Sequence, residues 1–111
     1  MVQLLIRLTA PAESARDVLS ALRAVMLTAQ QTHECSFAQV YHRAGHEAEI
    51  CYMEEWANDQ AMREQFATER FKRLLMLLEI AAELPVVEFR TIAETRGLDY
   101  VTASRDAIDT A

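Results

Sequence analysis

Patterning along the 111 residues predicts an α+β domain in which helices cover an antiparallel sheet. Three observations carry this. Short runs rich in branched apolar residues near positions 2–8, 37–41, 49–53 and 86–92 have the length of strands. Between them, apolar residues recur at three- and four-residue spacing, the mark of one helix face. Only two glycines and two prolines interrupt a sequence that is 51% hydrophobic, which describes an element-rich globule and not a fibrous or disordered chain.

The first run, Val2 to Leu8, stops at Thr9-Ala10-Pro11 and is too short for a helix, so it reads as a strand. Ala15, Val18, Leu19, Leu22, Val25, Met26 and Ala29 then mark one helix face. Ser14 followed by Asp17 resembles a capping box, and Pro11 allows a slightly earlier start. Phe37 to Tyr41 and Glu49 to Met53 flank the turn Arg43-Ala44-Gly45-His46 and form a hairpin. Alternation places Ile50, Tyr52, Glu54 and Trp56 on one side of its second strand, with Cys51 and Met53 on the other.

Asn58 and Asp59 cap a short helix running to about Ala67, and Thr68 caps the next. In that second helix Phe71, Leu74, Leu75, Leu78, Ala81 and Ala82 make a stripe, widened by Met76, Leu77 and Ile80. Leu84-Pro85 ends it, since the residue before a proline avoids the helical conformation. Val86 to Ile92 is the fourth strand. The order β-α-β-β-α-β, with its second helix broken in two, is the ferredoxin-like plan. Residues 1–94 form that domain, and 95–111 form a polar tail with a small apolar patch at Leu98, Tyr100 and Val101 that packs on a partner subunit or a sheet edge.

Both strand faces carry apolar groups. With helices on one face, residues such as Leu5, Val40, Cys51, Met53 and Phe89 are left for the other, according to register. A patch of that kind marks an interface. Two such sheets face to face give a homodimer that forms a barrel and shields strand edges.

The formal net charge of −6 repels phosphate backbones and anionic lipid, which argues against nucleic-acid and membrane partners. Cys35 and Cys51 make no disulfide framework, and no CxxC or HExxH spacing offers a metal site. The initial apolar run is too short for a signal peptide, so the expected location is the cytoplasm. No glycine-rich phosphate loop or GxSxG elbow is present. His33, His42 and His46 lie near or in the hairpin and read as surface residues.

Trp56, where a strand hands over to a capped helix, is either a packing anchor or a flat wall for an aromatic ligand. As an anchor it needs no hydrogen bond from its indole. Glu54 and Glu55 point to opposite faces and make no acid–base pair. One is expected in solvent and the other at a helix start. Arg90 shares parity with Glu88, so it either pairs with that carboxylate or lines a pocket for an anionic oxygen. Gln65 and Arg70 flank the helix break, where a pocket mouth fits.

The stretch Glu54-Glu55-Trp56-Ala57-Asn58-Asp59-Gln60-Ala61-Met62, followed by Thr68-Glu69-Arg70-Phe71-Lys72-Arg73-Leu74-Leu75, resembles the antibiotic biosynthesis monooxygenase family. Cys35 and the first and last strands extend the resemblance over residues 2 to 92. It implies a dimeric α/β barrel with a pocket between sheet and helices. It also implies, as one activity of the family, oxidation of phenols to quinones by oxygen without metal or flavin. Trp56, Tyr52 and Tyr41 would line the cavity, with Gln65 and Arg90 as polar contacts and no cofactor.

The chain departs from the family where many members carry histidines, having Gln65 and Arg70 there. Ile6, Gln65 and Leu75 replace the asparagine, tryptophan and histidine of the haem-degrading branch, which removes haem as a partner. Glu34 stands where a glycine usually precedes the cysteine. The alternative reading is a non-catalytic small-molecule-binding or interaction domain that keeps the fold without the chemistry.

Overall fold

A computed structural model describes residues 1–109. Four strands, β1 (Val2–Thr9), β2 (Cys35–Arg43), β3 (His46–Trp56) and β4 (Val86–Thr91), form one antiparallel sheet in the order β2-β3-β1-β4. Helix α1 (Ala15–Gln30) joins β1 to β2. Helices α2 (Asp59–Glu64) and α3 (Glu69–Glu79), with a 3-10 turn at Gln65–Ala67 between them, join β3 to β4. The β-α-β-β-α-β order expected from the sequence is thus present, including the broken second helix.

Why these residues form these elements is visible at their ends. Asn58 Oδ1 accepts the Ala61 N–H at 2.8 Å and Thr68 Oγ1 accepts that of Phe71 at 3.2 Å, as read from the sequence. The capping box at Ser14 does not form. Its hydroxyl instead donates to the Pro11 carbonyl within a 3-10 turn at Ala12–Ser14 that leads into α1. The hairpin strands are longer than expected because Gly45, at φ 77°, turns the chain tightly enough for pairing to begin at His46.

The core lies between sheet and helices. Val2, Leu4, Ile6 and Leu8 of β1 meet Val18, Leu22, Val25 and Ala29 of α1 and Phe71 and Leu74 of α3. Register settles the faces. Val40 pairs with Tyr52 and Phe89 with Leu4, so both belong to the helix side and not to the open side considered for them. Leu5, Cys51 and Met53 do lie on the open side, beside Phe37, Tyr41 and Val86. Beyond β4 the chain runs without regular structure and then forms α4 (Asp99–Asp109), a helix not anticipated in the tail.

Glu34 sits at φ 69° in the turn before β2, a left-handed conformation that costs an ordinary residue about 1–2 kcal/mol. Its carbonyl accepts the Ala57 N–H at 2.9 Å, so the turn is pinned to the end of β3. Glu34→Gly should therefore raise stability by up to about 1 kcal/mol, the glycine entropy offsetting part of the relieved strain. Urea unfolding midpoints of the two proteins measure it.

Candidate functional site

Tyr52, Glu54 and Trp56 alternate along β3 onto the helix side of the sheet, and all three are fully buried. A carboxylate there cannot remain ionised without partners. Arg70, from the first turn of α3, supplies the charge: its guanidinium pairs with both carboxylate oxygens of Glu54. The Tyr52 hydroxyl donates to Oε2 and the Trp56 indole N–H donates to Oε1 at 2.9 Å. Arg70 Nη2 also donates to Gln65 Oε1 at 3.0 Å, and Gln65 Nε2 donates to the Ala61 carbonyl at 3.3 Å. The guanidinium carbon lies 5.6 Å from the Trp56 ring centre, within cation–π range. Among the described residues no buried side-chain nitrogen or oxygen lacks a partner. Burial, and then the Glu54 charge, pushes the Tyr52 phenol far above its ordinary range.

This network is packed, not hollow. The space for a ligand lies beside it. The Gln65–Ala67 turn sends Gln65 inward to Arg70, while the Phe66 ring lies tilted against Phe71 at 4.9 Å and meets Phe89 edge-on at 5.6 Å. Phe66 and Phe89 with Met62, Asp59 and Arg63 line an apolar cleft of about 390 Å³ between α2 and β4. At its mouth Arg63 Nε pairs with an Asp59 carboxylate oxygen at 2.7 Å. A cleft of this size and lining suits a planar, largely apolar molecule with one oxygen at the guanidinium.

The structure brings Tyr52, Trp56 and Gln65 together, but in the network and not on a cavity wall. Tyr41 and Arg90 are on the opposite face of the sheet. Tyr41 lies beside Cys51 on an open groove with Arg7, Arg43, Leu84 and Val86, and Arg90 donates to Glu88 at 3.3 Å, the pairing its parity allowed. Glu54 is neither in solvent nor at a helix start. Its position between two aromatic residues on the buried side was the signal that it needed a buried cation. Phe66 and Phe89 had no such signal, since their meeting depends on how α2 and the turn lie against the edge strand. Burial raises both thiols, Cys35 and Cys51. Among the described residues no cluster of histidine, cysteine and carboxylates has the makings of a metal site, and no helix is long and apolar enough to cross a membrane.

No family model and no curated protein matches the sequence. Solved structures do match the fold. An antibiotic biosynthesis monooxygenase superposes with a TM-score of 0.74 at 17% identity, over 85% of this chain and 100% of the other. A candidate antibiotic biosynthesis monooxygenase of Deinococcus radiodurans gives 0.77 at 19% identity, over 88% and 98%. Rv0793 of Mycobacterium tuberculosis gives 0.75 at 13% identity, over 86% and 98%. The ferredoxin-like fold of these proteins is the fold of this chain.

Two outcomes follow from the network. Arg70→Met should destabilise by about 3–5 kcal/mol, because it strands a buried carboxylate. Trp56→Phe keeps the ring area but removes a donor, so it should cost about 1–3 kcal/mol, against the expectation of an indole with no hydrogen-bonding role. Chemical denaturation reads both. The raised Tyr52 phenol gives a pH signature whose sign is fixed: its contribution is intact below about pH 10 and is lost above it, as the unfolded state alone ionises. Denaturation midpoints between pH 8 and 11 should fall more steeply for the native chain than for Tyr52→Phe.

Proposed function

We propose that this chain is a cofactor-independent oxidoreductase of the antibiotic biosynthesis monooxygenase type that takes an aromatic, quinol-like molecule into the Phe66–Phe89 cleft. The observation that carries the reading is that cleft of about 390 Å³, lined by two phenylalanine rings on the fold of an antibiotic biosynthesis monooxygenase. Ring faces and edges hold the substrate plane. The Arg63 guanidinium at the mouth stabilises the phenolate oxygen, which makes the ring electron-rich enough to reduce oxygen. With a naphthol, the ring C–H para to the hydroxyl becomes a carbonyl. One atom of the oxygen molecule enters the product and the other leaves as water, so the substrate supplies all the electrons.

Tyr52, Trp56 and Gln65 act behind the cleft in this reading. They fix Arg70 and the turn that presents Phe66. Tyr41 and Arg90, on the open face, belong to the sheet-to-sheet contact of a homodimer, where Leu5, Met53, Phe37 and Val86 supply the apolar centre. The second reading, ligand binding without oxidation, is favoured by the one carboxylate lining the cleft, Asp59, which is already paired with Arg63.

Oxygen uptake with 1-naphthol and a set of related phenols and quinols distinguishes them. Saturable uptake above the uncatalysed rate is expected, with quinone as product. Phe89→Ala should lower kcat/KM roughly tenfold, the worth of about 1.4 kcal/mol of ring contact. Binding of 1-naphthol with no uptake would favour the second reading. Light scattering at micromolar concentration should return twice the 12.6 kDa chain mass.

A further inference from the structure

The chain is larger than a compact monomer of its mass. Its accessible surface is 7614 Å², about 1,400 Å² above the roughly 6,200 Å² of a compact 12.6 kDa protein. Its radius of gyration is 17.0 Å, against about 13 Å for a compact chain of this length. Helix α4 is a large part of the excess, because none of its described residues is buried.

Helix α4 is amphipathic. Tyr100, Val101 and Ile108 fall on one side, next to Leu98 at its start, and Asp99, Asp106 and Asp109 fall on the other. Leu98, Tyr100, Val101 and Ile108 are 82%, 52%, 49% and 73% exposed. An isolated helix shorter than about 12–15 residues is marginal in water, so 11 residues held out from the core need a surface to cover. The Phe66–Phe89 cleft has the reciprocal deficit. Its rings are 45% and 50% exposed, whereas a ligand site buries most of its ligand and excludes water from oxidation chemistry.

We propose that α4 is an exchanged arm: it lies on a second copy of this chain, with Tyr100, Val101 and Ile108 against Phe66 and Phe89 of that copy, and closes its cleft. The seven residues from Ile92 to Leu98 span up to about 24 Å when extended, enough to reach past the β4 edge. The excess of about 1,400 Å² falls within the roughly 1,000–2,500 Å² that each partner buries in an obligate homodimer interface, so a second copy can account for it. The acidic side of the arm stays in water. The arm's role as a lid rests on the cleft being the ligand site; its place on the second copy does not.

The test uses the full chain and the double variant Val101→Asp/Ile108→Asp, whose sites are outside the core. Hydrogen exchange followed by mass spectrometry should show α4 and the Gln65–Ala67 turn protected together, and both should lose protection on dilution to monomer. The variant should lose both protections and raise the dimer dissociation constant at least tenfold. An α4 that exchanges freely in the dimer, an α4 still protected in the monomer, or a variant that dimerises as tightly as the native chain would each overturn the arm. Binding of 1-naphthol is read separately. The variant should bind it at least tenfold more weakly, and equal affinity overturns the lid. If the native chain binds no aromatic probe while the shared protection persists, the ligand reading fails and the arm stands.

Discussion

The Glu54–Arg70 pair is the constraint around which the rest of the molecule is arranged. A fully buried carboxylate on β3 costs several kcal/mol unless a cation and further donors meet it, and here Arg70, Tyr52 and Trp56 all do. Such a pair adds little stability over well-packed apolar residues. It supplies register instead. Arg70 reaches both Glu54 and Gln65 only if α3 starts where Thr68 caps it, so the pair fixes α3 along the sheet. A shift of one residue along β3 would turn Tyr52, Glu54 and Trp56 together to the open face and dismantle the network.

That placement determines where a ligand can go. In the space between sheet and helices, Tyr52, Trp56 and the guanidinium occupy the volume beside α3. The helices lean toward β2 and β3 and leave the helix side of β4 thinly covered, which is why Phe89 is half exposed although it pairs with the fully buried Leu4. The cleft follows from this asymmetry. Its two walls have different origins: Phe89 is held by strand register, and Phe66 by a 3-10 turn whose first residue, Gln65, is tied to Arg70. The buried charge network and the open aromatic cleft are therefore mechanically one unit.

Element types were legible because each had its own periodicity and its own cap. Asn58 and Thr68 announced the helix break, and alternation along β3 separated Tyr52, Glu54 and Trp56 from Cys51 and Met53, whereas α3 ends at Glu79, five residues short of the stop read at Leu84-Pro85. Two things were not legible. Strand parity for β2 and β4 depends on register across the pairs, which no single strand reveals, so Val40 and Phe89 were open to either face. Helix α4 was hidden because its polar residues outnumber its apolar ones, and a patch at Leu98, Tyr100 and Val101 reads the same in a loop. Of the site, Tyr52, Trp56 and Gln65 were legible as residues, but the network that joins them was not. Their side chains were expected to face a cavity, and the buried charge of Glu54 engages them instead.

Glu34 shows the same competition between local and long-range demands on a smaller scale. Local preference would place a glycine at a left-handed position. The side chain present instead lets Glu34 accept from the Asn58 amide at 3.4 Å, while its carbonyl holds Ala57. Both contacts fall on the residues that connect β3 to α2. The strained turn before β2 thus braces the cap of the helix that carries Asp59, Met62 and Arg63, three of the five residues lining the cleft. A glycine there would relax the backbone and remove one of the two braces. The position sets stability against the fixed seat of α2, and the residue present favours the seat.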